Sequence, residues 1–307
     1  MTTFADRLSA SISTSKSVLV AGCDPVLESL PEFILESAAK SAGTDGEFVE
    51  RALEIFTEVF LEATKGRVAG IKPNIAFFEQ YGLAGLRVFE RFCSAIRSAA
   101  IPLIIDAKRG DIGSTAAAYS AAYLGGVIVR GRSFTGFECD ALTINPFLGF
   151  DTLEPFISDC QKREKGVFVL LRTSNPGAND LQALAADGVS VSDHVARWLA
   201  NNAERLAGSC GWSGLGAVVG ASYPDEARAL RAALPTNYFL IPGLGAQGGT
   251  ASDSVAGFGS VNGAKGGGLV NVSRGLLVGK AASTDELFDV IKGNTEQFND
   301  QLREALS

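Results

Sequence analysis

The sequence predicts an α/β protein: one (β/α)8 TIM barrel with extra helices and loop insertions, spanning residues 1–307. Three observations lead there. Eight short, β-rich apolar runs are spread along the whole chain, amphipathic or alanine-rich stretches separate them, and run after run ends in a polar or charged residue. Near-continuous apolar strands are what a parallel sheet covered by helices requires. In a closed barrel all strand C-termini open on one face, which then collects those polar ends. A length of 307 residues would allow two domains, yet no linker-like shift in composition divides the chain. A doubly wound open sheet is the competing arrangement.

The runs are Ser17–Cys23, Val68–Lys72, Pro102–Lys108, Ala141–Asn145, Val167–Arg172, Leu215–Gly220, Tyr238–Pro242 and Leu269–Val272. Each is too short for a helix and rich in Val, Ile, Leu or aromatic residues, which favours a buried strand. Helical patterns fill the gaps at Glu47–Thr64, Phe77–Ser98, Ser114–Leu124, Thr152–Glu164, Val191–Ala207, Asp225–Ala233 and Thr284–Ala305. Asp24 follows the first run, Lys72 closes the second, and Asp106 and Lys108 close the third. Ser174 follows the fifth, Gln247 the seventh and Arg274 the eighth. One charged residue at a strand end is ordinary, whereas a series of them reads as a site.

Composition narrows the chemistry. With 46% hydrophobic and 20% charged residues the chain can bury a large core. A net charge of −7 argues against a dedicated nucleic-acid binder, because phosphate backbones demand basic surfaces. The single histidine, His194, excludes di-histidine metal cages and makes a Ser/Cys–His couple a poor expectation. The cysteines number five, an odd count with no CxxC pair, which reads as reduced core thiols. The N-terminus lacks a leader pattern, and no apolar run approaches the ~20 residues of a membrane span. The expectation is a cytoplasmic protein with no membrane and no nucleic-acid partner.

The segment Pro102–Thr115 (PLIIDAKRGDIGST) carries the most information. Asp106 and Lys108 lie two apart near a strand end, so alternation points both side chains the same way, into the barrel mouth. Asp111 falls in a glycine-flanked turn and need not face the same cavity. On spacing alone, these residues equally fit a strand-end ion pair followed by an Asp or Ser114/Thr115 cap for the next helix.

Here the sequence resembles the orotidine 5'-monophosphate decarboxylase family. The DxKxxDI signature stands as Asp106, Lys108, Asp111 and Ile112, with Thr115 following. GCDP at Asp24, IKPN at Lys72, RTSNPG at Ser174, IPGLGAQGG at Gln247 and NVSRG at Arg274 match the other family blocks in order, most closely those of the longer bacterial branch. The resemblance implies removal of the C6 carboxylate of orotidine 5'-phosphate (OMP) to give UMP, without metal or organic cofactor. It implies a Lys–Asp–Lys–Asp network of Lys72, Asp106, Lys108 and Asp111, with Lys108 stabilising and protonating C6. It further implies a homodimer, in which Asp111 and Thr115 complete the partner's site. Ser174 is then a contact to the pyrimidine, and Asp24, Lys72 and Asn74 are contacts to the ribose, joined by Asp111 and Thr115 from the other subunit. Gln247 is a bridge between phosphate and pyrimidine, and Arg274 a contact to the phosphate. Ile112, Pro242 and Gly275 fall in the same blocks and are implied as further substrate contacts.

Fold physics supports part of this independently. Barrels often bind phosphate with the loops after strands seven and eight, here the glycine-rich 243–268 and Ser273–Gly275. Arg274 offers a bidentate fork for phosphate, and the Gly and Ser content of 248–268 suits a mobile cover. Metal-dependent barrel relatives, keto-sugar-phosphate decarboxylases and synthases, carry an acidic ligand after the second strand, where this chain has Lys72. A non-catalytic nucleotide-binding barrel is the remaining alternative, and a complete charged network argues against it. His194, the insertion 127–138 with Arg130 and Arg132, and Lys162–Lys165 read as solvated surface.

Overall fold

In the computed structural model, which describes residues 2–245 and 248–307, all eight expected strands form. They are β1 (Leu19–Cys23), β2 (Gly70–Pro73), β3 (Ile104–Arg109), β4 (Ala141–Ile144), β5 (Gly166–Arg172), β6 (Ser213–Val219), β7 (Asn237–Pro242) and β8 (Gly268–Val272). Every neighbouring pair is parallel and the strands follow chain order, with β8 returning to β1. Between β2 and β3 the ladder shrinks to isolated bridges, Ile71 with Leu103 and Asn74 with Asp106. The barrel therefore closes on a loose seam, and Lys72 and Asp106 sit beside it. The open doubly wound sheet is excluded.

Two apolar layers hold this arrangement. Inside the barrel Val20, Ile104, Phe168, Val218, Tyr238 and Leu240 pack together. Phe168 spreads there because Gly216 faces it, where an added Cβ would come within 2.5 Å of the ring. Between strands and helices lies the larger layer that includes Phe56, Phe60, Phe89 and Phe156. Burying such rings stabilises by about 1.5–3 kcal/mol each.

Seven helices follow the expected patterns: α3 (Asp45–Thr64), α4 (Gly82–Ser98), α5 (Gly113–Ser120), α6 (Glu154–Arg163), α7 (Val191–Asn202), α8 (Pro224–Ala233) and α9 (Thr284–Leu306). The helix expected from Phe77 is broken at Gly82, whose φ of 61° lies in the left-handed region that favours glycine. Two helices were not expected, α1 (Phe4–Ser15) and α2 (Glu32–Ser41). A capping box between Thr3 and Asp6 starts α1. Its Phe4 ring meets Phe168 edge-on at 6.1 Å and plugs the barrel at the strand N-termini.

The seventh connection departs from the pattern. In place of a full helix it makes one turn, Ala251–Ser254, and then a hairpin, Gly259–Val261 with Ala264–Gly266. This hairpin packs against Trp212, where β6 begins, and Lys265 Nζ donates to Leu306 O. Buried Arg231 pins its flanks by donating to the carbonyls of Gly257 and Gly267. The expectation of a mobile cover over 248–268 is thus corrected: most of the segment is anchored at the end of the barrel opposite the strand C-termini. The insertion 127–138 forms a second hairpin, with Arg130 and Arg132 exposed as expected. Exposed His194 also fits its reading. Lys165 does not, because its ammonium is buried at the start of β5 with no hydrogen-bond partner. No helix among the described residues is long and apolar enough to cross a membrane.

Candidate active site

A cavity of about 780 Å³ opens at the C-terminal ends of the strands, the face where barrels carry their sites. Asp24, Lys72, Asn74, Asp106, Lys108, Ser174, Pro242 and Arg274 all line it. Eight of the thirteen residues expected from the sequence are thus brought together. Gln247 lies outside the described residues. Asp111, Ile112, Thr115 and Gly275 are absent from the cavity wall. Asp111 accepts from the backbone N–H of Ile112 at 2.7 Å, Ile112 and Thr115 face outward, and Gly275 packs against the Phe298 ring.

The centre of the site is Asp106. One carboxylate oxygen accepts from Lys72 Nζ at 2.8 Å, and the other from Lys108 Nζ at 2.7 Å and Thr143 Oγ1 at 2.9 Å. Lys72 is 4% exposed and Asp106 9%; the Lys108 side chain is 47% exposed and reaches the open cavity. Burial alone would raise the Asp106 pKa, but the two ammonium groups outweigh it and hold the carboxyl well below the usual range. For Lys72, burial favours the neutral amine, and the carboxylates of Asp106 and Asp24 overcome it, so the pKa stands above its ordinary value. Asp106 and Lys72 are therefore both ionised at neutral pH.

The rest of the wall is divided by character. Leu170, Val218 and Leu240, from β5, β6 and β7, give it an apolar side facing the charged strands. A low-dielectric wall strengthens the field of the ammonium groups opposite. Asp24 Oδ1 and Asn271 Oδ1 are buried at the site without hydrogen-bond partners, acceptors available to a ligand's donors. Ser174 can stand close to the β6 terminus because the next residue is Gly220, where a Cβ would come within 2.8 Å of Ser174. Arg274 is exposed beside the loop 243–249, in which Gly243, Gly245 and Gly248 all have positive φ. Among the described residues no three His, Cys, Asp or Glu side chains gather as metal ligands.

Thr143, Asn271 and Ser273 also line the cavity, and the sequence reading missed them. Asn271 and Ser273 stand beside the recognised Arg274, and alternation in β8 could have marked them. For Thr143 there was no signal: a threonine within an apolar strand is ordinary.

Comparison with known proteins places this geometry. The model of the orotidine 5'-phosphate decarboxylase / HUMPS family matches residues 49–283. The chain belongs to this family. It is 40% identical to an orotidine 5'-phosphate decarboxylase of Rhodopirellula baltica over 99% of its own length and 100% of that protein's. It is 38% identical to one from Caldicellulosiruptor bescii, over 82% of this chain and 83% of the relative. Among solved structures, the Leishmania donovani OMP decarboxylase superposes with a TM-score of 0.72 at 30% identity, covering 99% of this chain and 98% of that one. The decarboxylase family and the barrel expected from the sequence are both borne out.

Proposed function

We propose that this chain is a carboxy-lyase that decarboxylates OMP to UMP and carbon dioxide, the step that completes UMP in pyrimidine biosynthesis. The observation that carries the reading is Asp106 between two lysines, Lys72 buried and Lys108 open to the cavity. As the bond from C6 to the carboxylate breaks, its electron pair stays on C6. An ammonium about 3 Å from that charge is worth about 5 kcal/mol at an effective dielectric near 20. Lys108 then gives its proton to C6 and recovers one from solvent. Asp106 faces the substrate carboxylate, and their repulsion disappears as carbon dioxide leaves.

Arg274 and the 243–249 loop, with Gln247 and Pro242, take the phosphate end, Gly275 backs Arg274, Ser174 takes the pyrimidine edge, and Asp24, Lys72 and Asn74 the ribose. The protein acts as a homodimer, with Asp111, Ile112 and Thr115 serving the partner's cavity. Their position outside their own cavity supports this. Lys72 speaks against the metal-dependent relatives, since its buried ammonium beside Asp106 repels a divalent cation.

Incubation with OMP and excess EDTA, followed by loss of orotate absorbance, tests the reading. Turnover that survives EDTA and vanishes in Lys108→Ala is expected. A requirement for magnesium would assign the chain to the metal-dependent relatives, and tight binding without turnover to a non-catalytic barrel. For the dimer, mixing Asp111→Asn with Lys108→Ala protein should restore activity that neither has alone, through one intact shared site.

A further inference from the structure

We propose that Thr143 is a positioning residue that sets the aim of Lys108, an inference that rests on the decarboxylase reading for its kinetic consequence. Ile104 and Ile105 of β3 pair with Ala141 and Leu142 of β4, and pairing resumes only at Arg109 with Ile144. Asp106, Ala107 and Lys108 therefore stand opposite one β4 residue, Thr143, in a bulge. Such bulges re-aim side chains beside active sites. Within it Lys108 has φ 47°, left-handed and unfavourable for a residue with a side chain.

Two backbone N–H groups in the bulge lose their ladder partners, and the Thr143 hydroxyl replaces both. Its Oγ1 accepts from Ala107 N at 3.0 Å and Lys108 N at 2.9 Å, and donates to Asp106 Oδ1 at 2.9 Å. A hydroxyl has two lone pairs and one proton, and all three are used. Thr143 is 1% exposed, so water does not compete. One side chain thus holds the Lys108 backbone in its strained conformation and the carboxylate that anchors its ammonium. The alternation from which the sequence reading aimed Lys108 is interrupted here, and the bulge supplies the direction instead.

Thr143→Val keeps the shape and removes the hydroxyl. Thr143→Ala removes the hydroxyl and the methyl together and supplies a second variant should the valine one fail to fold. Thr143→Ser keeps the hydroxyl and drops the methyl. In the Val and Ala variants kcat for OMP is expected to fall about 100-fold, the scale of a misplaced catalytic group, with KM within roughly 3-fold of wild type. The Ser variant should stay within about 5-fold. Independently of turnover, acylation of Lys108 by an amine-directed reagent, read by peptide mass spectrometry, should quicken in Val and Ala and not in Ser. A folded Val or Ala variant with wild-type kcat and Lys108 labelling overturns the proposal, as does a Ser variant as impaired as Ala. Failure of the wild type to turn over OMP would instead sink the decarboxylase reading and leave the labelling test of Thr143 standing.

Discussion

Replacing Asp106 by Asn tests the electrostatic account most directly. At 2.8 Å and an effective dielectric near 20, the Lys72–Asp106 attraction is about 6 kcal/mol, much of it offset by the desolvation of both groups. Loss of one partner from a buried pair costs about 3–5 kcal/mol, because the other charge stays buried and unpaired. Here Asp24 still acts on Lys72 and the half-exposed Lys108 is screened, so the lower figure, about 3 kcal/mol, applies. For 307 residues the unfolding entropy is about 0.6 kcal/mol per kelvin, which puts the Tm shift near −5 °C. Calorimetry measures it. Because Lys72→Met removes the ammonium that Asp106→Asn leaves buried without its nearest carboxylate, the two combined should melt at or above Asp106→Asn alone. In the same variants kcat for OMP should fall by about 100–1,000-fold. An unchanged Tm in Asp106→Asn, or a double variant that melts lower, would refute the buried-pair argument. An unchanged kcat with only KM raised would refute the role of the Asp106 charge in the chemical step.

Other perturbations separate the remaining roles. Lys108→Ala should abolish turnover yet change stability by no more than about 1 kcal/mol, since its ammonium is half-exposed; chemical denaturation and the orotate assay check the two halves. Arg274→Lys should raise KM for OMP about tenfold or more, because an ammonium cannot reproduce the bidentate fork, and orotidine without its phosphate should be insensitive to the change. The lowered pKa of Asp106 fixes the sign of one pH effect. Its stabilisation is complete above the ordinary carboxyl value of 3.8 and is lost as pH falls below it toward the folded value. Urea midpoints from pH 5 downward should therefore decline more steeply in wild type than in Asp106→Asn.

The barrel was legible because its strands are buried on both faces over most of their length and stand out as continuous apolar runs. Helix α1 was not: its sequence FADRLSASISTS is rich in small polar residues, and its buried side is only Phe4, Ala5 and Leu8. Its Thr3–Asp6 capping box was the available signal. The seventh connection was misread because Gly and Ser content records permissiveness and not motion. Arg231 and Trp212, distant in sequence, are what anchor that glycine-rich hairpin. In the site, the strand-end residues were legible one by one, while the Thr143 node arises from a register shift between two strands. That is a property of pairing, which no single run encodes.

The charges at the mouth also explain how an acidic protein can take an acidic substrate. Asp24 and Asp106 balance Lys72 and Lys108, which leaves Arg274 as the remaining cation among the residues assigned to substrate. In the binding mode proposed above, OMP brings a phosphate and a carboxylate, so attraction is concentrated at the Arg274 end and repulsion at the Asp106 end. The seat next to Asp106 is then occupied only because binding at the far end outweighs that repulsion. In the proposed reaction the repelled group is the one that departs, which would make the opposing interaction strongest in the ground state and weaker in the transition state. On that proposal, holding Asp106 ionised keeps the difference available, and the two lysines that do so also leave one ammonium, Lys108, for the carbon that needs a proton.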